Sequence, residues 1–465
     1  MKNIHFLFFT FFCFSCAALK PINQRIHKKD LKKFIYSSIQ KSDLRESIAV
    51  KIVSLSDGET LFEHNSEKLM TPASNVKLLT SAASLHYLGK EHVFETTILK
   101  NKDNIILIGG ADPELSFQVI DSLAGLISKD LTLIDTLFID GGLFDDYYYG
   151  KGWMWDEGSE EYSAPISALV LNNNCIDFEY SPNKIGLPAK VNIFPKTEYI
   201  TVENKSITVK DTIDFKKLKI DRNWVDRSND YLITGEILQW SGKDTVKKNI
   251  EKPNLFFGTI FKELLESRGL TVNELFIGNT KGSKDTILVH RSRPLYNQLE
   301  DMMHNSKNMT SELLLKYMGI TDSTIGNWEG GIRKVKTYLQ DEVKIDTSAL
   351  RIADGSGLSR YNLLSANQIV KLLVHIHGED NRDVYVNTLP KANEKNSRLE
   401  GRLLQAQDKI FAKTGSLSGV SCLSGYAFSP NHGTMAFSIL INGFVGSIKP
   451  HRKFQDELCT WLVKN

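Results

Sequence analysis

Three short stretches hold residues whose chemistry can cooperate. They are Ser74 and Lys77 in "TPASNVKLLTSAASLHYLG", Ser306 and Asn308 in "HNSKNMTSELLLK", and Lys413, Thr414, Gly415 and Ser416 in "FAKTGSLSGV". A serine hydroxyl is a poor nucleophile until a base takes its proton. A lysine amine serves as that base only when neutral, so its pKa must fall. Burial of Lys77 and a positive Lys413 nearby would both push it down. Spacing alone decides little. Ser-x-x-Lys also occurs at Ser38–Lys41 and Ser181–Lys184, and Ser-x-Asn at Ser365–Asn367 and Ser429–Asn431, whereas Lys-Thr-Gly occurs once.

Local context separates these matches. Pro72 stands just before Ser74, where a proline is tolerated at a helix start. Apolar residues then recur at Val76, Leu79, Ala83 and Tyr87, and Gly89 stops the run. Ser74 is therefore predicted at a helix N-terminus with Lys77 one turn on, both on one face. Ser181–Lys184 is interrupted by Pro182 and followed by Gly186 and Pro188, so it reads as a loop. Ser38–Lys41 belongs to a polar N-terminal helix. Upstream of Ser74, "SIAVKIVSLSDGETLFEHN" alternates on both sides of Asp57-Gly58, a hairpin signal.

From about residue 98 to 284 short β-rich runs alternate with turns, which reads as one or two inserted β-rich domains. Beyond 285, "RPLYNQLEDMMHNS", "TSELLLKYMG" and "SANQIVKLLVHIHG" are helical patterns, the last capped by Ser365. Ser306 and Asn308 fall between the first two. "GVSCLSGYAFSPNHGTMAFSILINGF" reads as two strands joined at Pro430, Asn431 and Gly433, with Lys413 at the start of a preceding strand. The tail "HRKFQDELCTWLVK" is an amphipathic helix.

The 465 residues allow two or three domains. The 57 basic and 55 acidic residues nearly balance, which gives no nucleic-acid footprint. Lys2 and His5 precede the apolar run "FLFFTFFCFSC" and the small residues Ser15, Cys16 and Ala17. This is the pattern of a secretory signal over residues 1–17, and the run is too short for the roughly 20 residues of a spanning helix. Lipidation at Cys16 is the alternative, against a poor match before it. Cys175, Cys422 and Cys459 form no disulfide framework and read as buried thiols. The 11 histidines lack metal-ligand spacing, so no metal or other cofactor is expected.

The ordered set Ser-x-x-Lys, Ser-x-Asn, Lys-Thr-Gly, on helix start, interhelical loop and strand, resembles the penicillin-recognising serine acyltransferases, the penicillin-binding proteins and serine β-lactamases. The gap from Ser74 to Ser306 is more than twice that from Ser306 to Lys413, too long for a compact β-lactamase. "IGGADPELS", "GWMWDEGSEEYSAPISALVLNNN" and "ADGSGLSRYNLLSANQIVKLL" are similar to stretches of the low-molecular-mass class C penicillin-binding proteins, the DacB-type D-alanyl-D-alanine carboxypeptidase/endopeptidases. Ala111 departs from a usual glycine, and Ser416 stands where some members carry threonine.

The resemblance implies an α/β (α+β) architecture. A transpeptidase-like domain, 29–97 plus 285–465, would have an antiparallel sheet beside a helical lobe, split at 98–284 by a β-rich insertion of two small domains. It implies a serine carboxypeptidase or endopeptidase acting on peptidoglycan stem peptides through an acyl-enzyme on Ser74, with β-lactams as inhibitors. Lys77 would be the base. Ser306 would pass a proton to the leaving amine, and Asn308 would hold the substrate amide. Lys413, Thr414 and Ser416 would bind the terminal carboxylate, with Gly415 allowing close approach. The N–H groups of Ser74 and Ser416 would form the oxyanion hole. Arg360 is read as a substrate-carboxylate contact or as a loop ion pair. Asp156 and Glu157 are read as a contact for the cationic end of the stem or as solvated surface. Trp153, Trp155 and Tyr147 to Tyr149 read as packing rather than a sugar platform. A periplasmic location follows, with peripheral membrane contact open. The alternatives are a β-lactamase or esterase on the same scaffold and a non-catalytic cell-wall binding protein.

Overall fold

The computed structural model describes residues 28–41, 47–211, 214–279 and 284–464. The signal segment and Cys16 lie outside the described residues. Five strands form an antiparallel sheet in the order Ile410–Leu417, Val420–Ser429, Gly433–Asn442, Ser47–Ser54, Thr60–His64. The expected hairpins close at Asp57-Gly58, where Asp57 accepts the Glu59 N–H at 3.0 Å, and at Gly433, whose φ is 72°.

Both faces of this sheet are buried, and the period-2 alternation assigns successive residues to opposite faces. Ile48, Val50, Ile52, Leu423, Phe437, Ile439 and Ile441 pack against the terminal helices Lys28–Lys41 and Lys449–Lys464. The opposite face carries Val53, Tyr426 and Leu440 together with the small groups Ala49, Ala436, Ser424, Ser438 and Gly415. There the helical lobe approaches, built from Val76–Leu88, Leu295–Asn305, Asn308–Met318, Trp328–Asp341 and Ala366–His377. The small residues let the Ser74 segment sit directly on the sheet.

Between residues 95 and 291 the chain builds a second five-stranded sheet, in the order Thr271–Ile277, Leu133–Asp140, Asn104–Ile108, Glu95–Asn101, Asp285–Arg291. Three smaller sheets follow from strands within 175–249. Two helices of this region, Phe117–Ile127 and Pro253–Glu266, were not read from sequence. Their β-branched and aromatic residues make short apolar runs that periodicity does not separate from strands. Gly258 explains the close seating of the second helix. A Cβ there would lie 2.8 Å from Ile139 of the sheet. Ala111 adopts φ 63°, the left-handed backbone that glycine takes without strain, and its N–H donates to the Ala168 carbonyl at 2.8 Å. Cys175, Cys422 and Cys459 are free and buried. Among the described residues no helix is long and apolar enough to cross a membrane.

Candidate active site

Ser74 lies in a single 3₁₀ turn, Ala73–Asn75, that runs into the helix Val76–Leu88. The turn is fastened to the sheet from several directions. Asn442 accepts the Thr71 N–H at 2.7 Å and donates to the Thr71 carbonyl at 3.1 Å. Asn75 donates to the Lys413 carbonyl at 3.0 Å and accepts from the Ser424 hydroxyl at 2.7 Å. Gly415 is packed against Pro72, where a Cβ would stand 2.6 Å from the Pro72 carbonyl oxygen. Its smallness therefore lets the strand approach the Ser74 turn, a different reason from the substrate approach expected from sequence. Ala73 itself holds φ 46°.

The Lys77 amine is fully buried. It lies 3.1 Å from Ser74 Oγ, 2.7 Å from Asn308 Oδ1 and 2.7 Å from the Ser356 carbonyl. As an ammonium it can donate to all three. As a neutral amine it can donate to Asn308 and Ser356 while its lone pair receives the Ser74 proton. Burial lowers its pKa to about 7, against the opposing pull of Glu312 and Asp354, with Arg398 adding to the depression. The sequence reading gave Lys413 a share in this effect. Repulsion between the two buried amines is mutual and so bears on both lysines, and Glu312, Asp354 and Arg398 act on Lys77 besides. Lys413 is pushed well below its ordinary value by burial first, then by Lys77 and Arg398.

Ser306 and Lys307 alone join the helices Leu295–Asn305 and Asn308–Met318. Ser306 adopts φ 59°, which turns its hydroxyl toward Lys413, and Lys413 Nζ reaches it at 2.9 Å. Two serine–lysine pairs thus share one cleft. The Asn308 amide is fixed at both ends, since its Nδ2 donates to the Tyr162 carbonyl at 2.8 Å.

The cleft has a volume of about 640 Å³ and is lined by Ser74, Ser306, Asn308, Thr414, Ser416 and Arg360, together with Asp156 and Glu157. Arg360 donates to the Ser418 carbonyl at 3.0 Å. Glu157 accepts from the Tyr162 hydroxyl at 2.7 Å. All eleven residues singled out from sequence therefore converge on the cleft or its immediate wall, Gly415 from behind.

The family model of the D-Ala-D-Ala carboxypeptidase 3 (S13) family matches residues 31–464. This chain belongs to that family. It is 30% identical over 423 residues to a D-alanyl-D-alanine carboxypeptidase of Actinomadura sp. strain R39, covering 85% of this chain and 78% of that one. It is 26% identical over 433 residues to D-alanyl-D-alanine carboxypeptidase DacB of Haemophilus influenzae, covering 88% and 89%. The fold matches crystal structures of penicillin binding protein 4 (dacB) from H. influenzae. One has a TM-score of 0.81 at 23% identity, over 93% of this chain and 99% of that one, and a second was solved in complex with a β-lactam. The S13 chain is thus a D-Ala-D-Ala carboxypeptidase, a hydrolase.

Several residues of this S13 site escaped the sequence reading. The carboxylate of Glu312 is fully buried and accepts from the N–H groups of Gly355 at 3.0 Å and Ser356 at 2.7 Å, and from Trp328 Nε1 at 2.8 Å. Asp354 accepts from the N–H groups of Gly357 and Ser359 and from Trp153 Nε1. Together they shape the loop whose Ser356 carbonyl holds Lys77. Arg398 and Arg452 also line the cleft. The available signal for Glu312 was its place one helical turn beyond Asn308, a lone acid on an otherwise buried face.

Gly357 completes the packing. Its φ is 87°, and a Cβ would lie 1.9 Å from the Ala73 carbonyl oxygen. Gly357→Ala is expected to cost about 3 kcal/mol or more, because backbone strain and a backbone clash coincide. Gly401→Ala, at φ 73° in open space, should cost only about 1 kcal/mol. Denaturant midpoints of the two variants compare them directly. Penicillin acylation should slow only in Gly357→Ala, whose displaced neighbour is the Ser74 turn.

Proposed function

We propose that the chain cleaves peptidoglycan stem peptides through an acyl-enzyme on Ser74. The observation that carries this reading is the buried Lys77 amine beside Ser74 Oγ, with a pKa near 7. Neutral Lys77 takes the hydroxyl proton as Oγ attacks the carbonyl carbon of the scissile amide. Charge develops on the carbonyl oxygen, where the N–H groups of Ser74 and Ser416 form the oxyanion hole. Collapse breaks the C–N bond. The leaving D-amino acid gains its proton through Ser306, which Lys413 orients. Asn308 holds the substrate amide. Lys413, Thr414, Ser416 and Arg360 bind the terminal carboxylate, while Asp156 and Glu157 face the cationic end of the stem. Water then hydrolyses the ester. The bond cut is the terminal D-Ala–D-Ala link or the D-Ala–diaminopimelate cross-link. β-Lactams acylate the same serine.

The organisation we infer is an acyltransferase domain, 29–97 plus 285–465, around an insertion at 98–284. The pairing of Glu95–Asn101 with Asp285–Arg291 supports ends nearer 95 and 291. The protein acts outside the cytoplasm after removal of residues 1–17, in keeping with its cell-wall substrate.

The direct test is to label the mature protein with a fluorescent penicillin and map the adduct by mass spectrometry. A long-lived adduct on Ser74 is expected. Rapid loss of penicillin without an adduct would favour the β-lactamase alternative, and intact penicillin with no adduct would sink the catalytic reading. The rate of acylation should also depend on pH. Lys77 must be neutral, so the rate is expected to plateau above about pH 7 and fall about tenfold per unit below it. A flat profile from pH 5 to 8 would remove Lys77 as the base.

A further inference from the structure

One wall of the cleft continues into a second hollow. Met154 and Glu157 line both spaces. The second hollow has a volume of about 380 Å³, and Trp155 and Trp224 stand on its wall beside Tyr149 and Trp153. The last two are tied inward. Trp153 Nε1 donates to Asp354 at 3.0 Å, and the Tyr149 hydroxyl donates to Glu251 at 3.1 Å. Trp155 differs from them. It is 79% exposed, and its ring lies 5.1 Å from that of Trp224, inclined by 50°. The expectation that this aromatic cluster is packing therefore fits Trp153 and Tyr149 and fails for Trp155 and for the likewise exposed Tyr147.

Short turns set the two rings. Trp155–Glu157 forms a 3₁₀ turn closed by the Glu157 N–H on the Met154 carbonyl at 3.2 Å. Trp224 opens a turn in which its carbonyl accepts the Arg227 N–H at 3.3 Å. Main-chain geometry thus sets an exposed indole, Trp155, against the half-buried indole of Trp224, and much of the Trp155 apolar surface gains nothing from burial. Polar groups stand beside them. Ser163, Arg227 and Glu251 line the same hollow, and Glu251 is already paired with the buried Arg222 at 3.0 Å. Aromatic faces next to hydrogen-bonding groups suit a ligand with apolar C–H faces and polar edges, which is the surface of a pyranose ring.

We propose that this hollow seats an N-acetylated sugar of the glycan strand that carries the stem peptide. The inference rests on the proposed stem-peptide substrate. Such a peptide is joined to the glycan at its amino end, so a sugar site continuous with the cleft meets the substrate on the side away from the scissile bond. The continuity through Met154 and Glu157 is what favours the sugar over an unrelated apolar segment.

The test compares a stem pentapeptide with the same peptide carried on its N-acetylated amino-sugar disaccharide, using the mature wild type, Trp155→Ala and Trp224→Ala. The wild type should show a KM about tenfold lower for the disaccharide-peptide, at similar kcat. Either variant should lose most of that advantage while keeping its KM for the free peptide and its rate of penicillin acylation. Trp155→Phe should retain part of it. Titration of the wild type with the disaccharide alone should perturb indole fluorescence, and Trp155→Ala should abolish that change. Equal KM values for both substrates in the wild type would overturn the proposal. So would an advantage that survives in both alanine variants. If the wild type cleaves neither substrate, the stem-peptide reading fails, and the fluorescence titration still decides whether the hollow binds sugar.

Discussion

Ser74→Ala is expected to abolish the penicillin adduct and to lower D-alanine release by at least about 10⁴-fold, since it removes the hydroxyl that the Lys77 amine activates. Lys77→Met keeps the hydroxyl but removes the amine 3.1 Å from it. Its loss of acylation rate should be about 10³- to 10⁴-fold. The two residues act as one unit, so the double variant should be little worse than Ser74→Ala alone. Stopped-flow acylation and a D-alanine release assay measure these losses. Near-normal acylation in Lys77→Met would transfer the base role to Lys413, the other buried amine of the cleft. Lys77→Met also replaces a buried amine with an apolar chain of similar length, so folding should survive. Circular dichroism before the kinetic comparison checks this.

The second large effect falls on Glu312, which touches no substrate. Its carboxylate collects the N–H groups of Gly355 and Ser356 and the indole N–H of Trp328. The loop it holds supplies the Ser356 carbonyl to Lys77 and brings Gly357 against Ala73. Glu312→Ala leaves three buried donors without an acceptor and is expected to cost about 3–5 kcal/mol. Glu312→Gln preserves the shape and isolates the charge. Burial holds the Glu312 pKa up at about 7, with Asp354 adding to the rise. When ionised, Glu312 raises the pKa of Lys77 and so opposes the effect of burial. Removing that charge lets the Lys77 pKa fall further. The rising limb of acylation should therefore move from about pH 7 to lower pH in Glu312→Gln. A merely structural carboxylate would change the amplitude and leave the limb where it is. An unmoved limb would thus reject the electrostatic role and keep only the scaffolding one.

The elements that carry the motifs were legible because their signals are local. Pro72, the apolar stripe and Gly89 located the Ser74 helix, and the structure begins it within two residues of Ser74. Ser365 was legible as a cap, and it forms a full capping box with Gln368. The Asp57-Gly58 turn and the C-terminal hairpin followed from turn chemistry and alternation. The helices Phe117–Ile127 and Pro253–Glu266 were not legible, because short runs rich in Val, Ile and Phe fit either period.

The sequence by itself determined the identity of the reacting groups and their order along the chain. It did so because hydroxyl, amine and amide chemistry belongs to the residue type, and because helix starts and turns are written within a few positions. Tertiary structure alone decided the state of those groups. Lys77 meets the Ser356 carbonyl across 279 positions, and Asn308 meets Tyr162 across 146. The pKa of Lys77 depends on burial and on acids of two distant segments, Glu312 and Asp354. Gly415 is small for the sake of Pro72, and Gly357 for the sake of Ala73. Trp153 and Trp155, two positions apart, differ in exposure because only one has a carboxylate in the core to bond. Desolvation and close approach are properties of what surrounds a residue, and those surroundings form only when segments far apart in the chain pack together.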